Sequence, residues 1–258
     1  MNRERLIFVT NDDGYNSPGM DALIEVASKF GRVVGVAPKE PQSGKSHSIT
    51  TYLPLYLDTI YKRDGVELYA LNGTPVDCVK FATDHLLLGQ KIDLTLSGIN
   101  HGSNAGINIL YSGTMGGAIE GSFYGAPSIG FSHLANSEAS DLEASKFYAE
   151  QIIERVLAAA PSCPYCLNVN IPDLPLSEIK GVRCVRQNRG YWVEEFFGRR
   201  DPRDREYFWL TGAFINLEPE ATDTDIAALE AGYVSVVPVQ VDMTSYEQMQ
   251  STATLLDG

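Results

Sequence analysis

Asp12 and Asp13 stand side by side in Thr10-Asn11-Asp12-Asp13-Gly14, and this carboxylate pair is the first feature of the chain that invites chemistry. Two carboxylates held close together repel each other unless a proton or a cation lies between them. Hard divalent ions such as Mg²⁺ and Mn²⁺ take such oxygen ligands. In a regular strand the pair would point to opposite faces, but Gly14 permits an irregular turn in which both converge on one point. A lone Asp-Asp-Gly also reads as a turn or a helix cap, so the metal reading depends on what else reaches the same place.

The elements that position the pair can be read from the apolar pattern. Leu6, Ile7, Phe8 and Val9 form a short apolar run that predicts a central parallel strand buried on both faces. Pro18-Gly19 then opens a helix whose apolar residues Met20, Leu23, Ile24 and Ala27 recur with helical spacing. Val33, Val34 and Val36 make a second strand, completing a βαβ unit. The loop that follows, Ala37–Ser46, opens on the carboxyl edge of the sheet, where open α/β sheets bind ligands, so Ser43 can reach the carboxylates. Gly44-Lys45-Ser46 mimics the end of a phosphate-binding P-loop, but Lys39 stands where that motif requires glycine.

A third segment, Leu94–Gly125, empties onto the same edge through Ser97-Gly98-Ile99-Asn100. Asn100 and Asn104 offer amide groups there. Ser112-Gly113-Thr114 precedes a helix read as Met115–Tyr124, so its backbone N–H groups and hydroxyls could receive a phosphate.

Elsewhere, Leu53–Tyr61 and Val66–Leu71 read as strands, and Thr74-Pro75 starts a helix that places Cys78 and His85 on its core face. Ser128–Phe131 is a short strand, and Ala149, Ile152, Ile153, Val156 and Leu157 mark the buried stripe of a long helix. After Val182–Gln187, Tyr191–Gly198 and Glu206–Gly212 read as an aromatic antiparallel hairpin joined by the charged loop Arg199–Arg205. A short helix at Asp225–Ala231, a strand at Tyr233–Val237 and a terminal helix at Ser245–Leu255 complete the chain. Cys163-Pro164-Tyr165-Cys166 looks like a glutaredoxin motif, yet it follows a helix and leads into a strand pattern, the reverse of the redox arrangement, so a structural role is expected.

A formal charge of −13 argues against binding duplex nucleic acid through its phosphates. The charged start Met1-Asn2-Arg3-Glu4-Arg5 has no apolar signal core behind it, and no stretch approaches the roughly 18 uninterrupted apolar residues of a membrane span. A soluble, cytoplasmic protein without membrane partners is expected.

Taken together, the loops TNDDGYNSPG, APKEPQSGKSHSIT, NGTPVDCVKFA, SGINHGSNAG and YSGTMGGAIEG, with DPRDREYFWLTG further on, resemble the SurE family of stationary-phase survival nucleotidases over nearly the whole length. The resemblance implies a single α/β domain with a Rossmann-like three-layer core and a mostly parallel sheet over about residues 1–185. A hairpin arm at about 188–213 and a C-terminal region at about 214–258, ending in a helix, would serve oligomerisation into dimers or tetramers. It implies a phosphohydrolase that removes phosphate from nucleoside 5′- and 3′-monophosphates, with one Mg²⁺ or Mn²⁺ ion per subunit activating water. Carried over by motif, the metal ligands are Asp12, Asp13, Ser43 and Asn100, the two aspartates are catalytic, and Asn104, Ser112, Gly113 and Thr114 hold the phosphate. Nothing in the resemblance requires histidine at His47 or His101. Two rivals are a haloacid-dehalogenase-like phosphatase with an aspartate nucleophile, whose Asp-x-Asp pattern is broken here by Gly14, and a non-catalytic nucleotide-binding stress-response module.

Overall fold

The computed structural model describes residues 4–135 and 141–257. The chain begins with β1 (Leu6–Thr10), α1 (Pro18–Ala27), β2 (Arg32–Pro38), β3 (Leu57–Arg63), β4 (Val66–Leu71), α2 (Pro75–Phe81) and β5 (Leu94–His101). It continues through α3 (Gly113–Ser122), β6 (Ser128–His133), α4 (Glu143–Ala159), β7 (Cys166–Ile171) and β8 (Val182–Cys184). The last part holds β9 (Gly190–Val193), β10 (Phe196–Arg200), β11 (Glu206–Leu210), β12 (Ala213–Asn216), α5 (Asp225–Glu230), β13 (Val234–Val239) and α6 (Tyr246–Leu256).

Nine strands form one sheet in the order β3-β4-β2-β1-β5-β6-β7-β13-β8. Neighbours from β4 to β7 in that order pair in parallel, while β3 runs against β4 and β13 against β7. Strand β1 is buried throughout and sends Ile7 and Val9 into the core shared with α1 and α4, Leu6 and Phe8 into the core shared with α2. That two-sided burial is why its sequence reads as an apolar run rather than an alternation. From β1 the chain moves outward to β2, and from β5 it moves the other way to β6. The gap between the ends of β1 and β5 is therefore the topological switch point, the place where such sheets form a ligand crevice.

Several elements differ from the sequence expectation. The strand expected from Leu53 begins at Leu57, because Leu53 and Tyr56 are exposed and find no partner strand. His85 is exposed, since α2 gives way to a π-helical turn at Ala82–Leu86 that breaks the helical spacing, and its ring lies against Phe81 with centroids 5.1 Å apart. Helix α3 starts two residues earlier than expected, with Ser112 as its N-cap and Gly113 and Thr114 inside its first turn. The aromatic hairpin is two ladders, β9 with β12 and β10 with β11, separated at Glu194 (φ 54°) and Gly212 (φ 130°). None of the residues of α6 is buried. Among the described residues, no helix is long and apolar enough to cross a membrane.

Candidate active site

The turn after β1 is held by Asn11, whose amide nitrogen donates to the Gly14 carbonyl at 2.9 Å and to the Ser17 hydroxyl at 2.7 Å. Its amide oxygen accepts from the Gly14 N–H at 3.2 Å. Ser17 in turn caps α1 by accepting from the Met20 N–H. This turn leaves Asp12 buried and Asp13 half-buried. The Asp12 carboxylate accepts a hydrogen bond from the Thr114 hydroxyl. Burial pushes the Asp12 carboxyl up to about 6; the Thr114 hydrogen bond opposes the rise and the charge of Asp13 adds to it. Asp13 accepts from the His101 backbone N–H at 3.1 Å, which ties the first loop to the end of β5.

Ser43 and Asn100 line one cleft with Asp13, a cavity of about 380 Å³ whose floor includes Gly19 and His133. The Asp12 carbonyl accepts from the Gln42 N–H at 2.7 Å, so the loop bearing Ser43 is fastened directly to the aspartate pair. At Asn100 the pairing of β5 with β6 slips in register. Its amide nitrogen donates to the Gly102 carbonyl at 2.8 Å, which turns the amide oxygen the other way. Two carboxylates, an exposed hydroxyl and an amide oxygen are all hard oxygen donors, so the residues fit a divalent ion of the Mg²⁺ or Mn²⁺ class. A buried carboxyl with a raised pKa beside a second carboxylate is the electrostatic complement of such an ion.

The N-terminus of α3 abuts the pair. A Cβ at Gly113 would lie 2.8 Å from Asp12 Cβ and 2.9 Å from its Oδ2, so only glycine lets the helix approach this closely. The Ser112 hydroxyl accepts from the Met115 N–H at 3.0 Å and the Thr114 hydroxyl serves Asp12, so both side chains expected to receive phosphate are engaged within the fold. Asn104 is built into a buried polar ladder: its N–H donates to Asn170 Oδ1 at 2.8 Å, its amide to the Ser132 hydroxyl at 2.7 Å, and its carbonyl accepts from Asn168 at 2.8 Å. Asn168 and Asn170 are polar residues two apart in an otherwise apolar strand, a spacing that places them on one face and signals a shared polar partner.

A second group missed by motif reading clamps the Ser43 loop. Glu120 on α3, nearly fully buried, accepts from Lys80 at 2.6 Å and pairs with His47 Nε2 at 2.8 Å. Beside it, the Ser46 carbonyl lies so close to the helix that a Cβ at Gly116 would stand 2.6 Å from it. His47 thus holds the loop, and His101 contributes its backbone N–H. Burial pushes the Cys163 thiol up and the Cys166 thiol to about 12, the opposite of a redox-active pair.

Known proteins resemble this chain over nearly its whole length. The family model "Survival protein SurE" matches residues 7–194. The 5′-nucleotidase SurE of Christiangramia forsetii is 47% identical over 249 residues, 95% of each chain. That of Flavobacterium johnsoniae is 47% identical over 250 residues, 96% of each chain. The crystal structure of the SurE protein from Aquifex aeolicus superposes with a TM-score of 0.82 at 39% identity, covering 98% of this chain and all of that one. The chain belongs to the SurE family.

Proposed function

We propose that this chain is a divalent-metal-dependent phosphohydrolase acting on nucleoside 5′- and 3′-monophosphates. Its relatives are named 5′-nucleotidases, and the observation that carries the reading is the buried Asp12 beside Asp13 at the switch point, under the N-terminus of α3. Asp12, Asp13, Ser43 and Asn100 would hold one Mg²⁺ or Mn²⁺ ion. When bound, such an ion lowers the pKa of a coordinated water and neutralises charge developing on phosphoryl oxygens.

The protein's own groups supply the rest. An aspartate of the pair accepts the proton of the attacking water. Backbone N–H groups at the start of α3, Gly113 foremost, face the equatorial phosphate oxygens with the positive end of the helix dipole behind them. Asn104 has a second amide hydrogen to offer the phosphate while its first fixes the loop to Ser132. Thr114 and Ser112 act one step back, the first by orienting Asp12 and the second by capping the helix.

We also infer that the arm pairs with a second copy of the chain. Phe196 is 73% exposed and Trp209 64%, and a two-stranded ribbon carrying such side chains is not stable alone in water.

Phosphate release from a panel of nucleoside 5′- and 3′-monophosphates, by chelated protein resupplied with Mg²⁺ or Mn²⁺, tests the function. Turnover restored by either ion is the expected result. A protein that binds nucleotides without turning them over under any of these conditions would instead be a binding module, and a trapped phospho-aspartyl enzyme would replace the water mechanism.

A further inference from the structure

A second cavity, also about 380 Å³, opens beside the Asn104 turn and is lined by Ser103, Ala105, Asn108, Trp192, Phe214 and Ile226. Its lining interleaves along the chain with that of the candidate active site. Ser103 and Ala105 flank Asn104, and Leu134, which also lines the cavity, sits between His133 and Ala135 of the cleft that holds Asp13 and Asn100.

The cavity is apolar and aromatic, with one polar edge. The Trp192 and Phe214 rings meet edge to face, centroids 5.9 Å apart and planes at 67°. Trp192 Nε1 donates to Asn108 Oδ1 at 2.9 Å, which leaves the Asn108 amide nitrogen with a single 3.4 Å contact to the Ser103 carbonyl. The walls are preformed: both oxygens of buried Asp225 are engaged, one by the Gly106 N–H at 2.8 Å and the other by the Asn188 N–H at 2.9 Å. These bonds lock the 106–110 turn, α5 and the root of the arm together. Gly106 packs so closely that a Cβ there would stand 3.3 Å from Ile226 Cδ1.

A planar, uncharged group that stacks on an aromatic face and offers a hydrogen-bond acceptor along its edge satisfies these walls. A second phosphate does not, because the walls present no cation and Glu230 stands at the rim. Resting on the phosphohydrolase reading above, we propose that this cavity is the subsite for the heterocyclic base of the substrate, stacked on Trp192 with its edge toward the Asn108 amide.

Trp192 and Trp209 are the two tryptophans of the chain, so the full-length Trp209→Phe protein reports on Trp192 alone. With Mg²⁺ present, an adenosine 5′-phosphonate in which CH₂ replaces the ester oxygen should quench the Trp192 emission saturably. Inorganic phosphate should leave it unchanged. In kinetics, Trp192→Ala should lower the ratio of kcat/KM for a nucleoside monophosphate over ribose 5-phosphate about tenfold, the usual cost of deleting a stacking partner. Trp192→Phe should keep most of that ratio. A chain that hydrolyses phosphomonoesters but shows no quenching, or whose ratio is untouched by Trp192→Ala, retains the phosphohydrolase reading and overturns the base subsite. A chain that hydrolyses neither compound overturns both.

Discussion

Thr114 donates its hydroxyl hydrogen to Asp12, a residue 102 positions earlier in the chain. Through that bond the first turn of α3 orients one half of the carboxylate pair. Thr114→Val keeps the volume and removes the donor, leaving a buried carboxylate short of one partner. A hydrogen bond to a charged group is worth about 1.5–3 kcal/mol, so activity at fixed metal should fall roughly ten- to hundredfold. Thr114→Ser should recover most of it. Steady-state kinetics across a metal titration checks both variants, and an unaffected Thr114→Val would remove the hydroxyl from the site.

The raised pKa of Asp12 carries a signed consequence for the metal-free protein. Its folded-state value of about 6 exceeds the ordinary 3.8, so the folded chain holds this proton more tightly than the unfolded one. Stability from this group is complete below the ordinary value and is lost as pH rises through about 6. Asp12→Asn removes that loss and can still accept from Thr114. With chelator present, the variant should match wild type near pH 4 and exceed it above pH 6 by up to about 3 kcal/mol, while its phosphatase activity disappears. Thermal unfolding at the two pH values decides; equal stability offsets at both would contradict the assignment.

Gly116→Ala tests the clamp on the Ser43 loop. The new methyl would stand 2.6 Å from the Ser46 carbonyl, a clash costing about 1–3 kcal/mol. Better helix propensity returns about 1 kcal/mol, so the net cost is about 0–2 kcal/mol and the melting temperature should fall by several degrees at most. Displacement of the loop should instead raise the metal concentration needed for half-maximal activity. The same requirement in variant and wild type would mean that the loop finds its place without the helix.

Charged replacements at Phe196 and Trp209, such as Phe196→Glu with Trp209→Glu, should convert the assembled protein to monomers in sedimentation velocity runs. An interface able to hold a dimer buries on the order of 1,000 Å² or more, and two buried charges defeat it. Wild-type protein that already sediments as a monomer at micromolar concentration would rule the pairing out.

What the sequence discloses here follows the range of the interactions. Leu6–Val9, the α1 pattern and the loops bearing Asp12, Asp13, Ser43 and Asn100 are local signals, and the structure gathers Asp13, Ser43 and Asn100 around one cleft with Asp12 buried beside it. The π-helical turn that exposes His85 depends on an extra residue in one turn, which no apolar spacing announces. The engagement of the Ser112 and Thr114 hydroxyls, the Asn104 ladder and the Glu120 clamp join residues far apart in sequence, apart from the Ser112 cap itself. Their residue types are ordinary, and only the fold reveals who meets whom.

Four of the ten residues of α3 are glycine, and each lies against a different neighbour: Gly113 on Asp12, Gly116 on Ser46, Gly117 on Thr10 and Gly121 on Thr95. Each glycine weakens the helix by about 1 kcal/mol relative to alanine, so α3 has little tendency to stay wound by itself and depends on the surfaces it touches. Its amide hydrogens become a natural gauge of the site. Their exchange with deuterated solvent should slow when the aspartate pair is neutralised by a bound ion and quicken when the ion is withdrawn, so occupancy could be followed along the backbone with no substrate turned over.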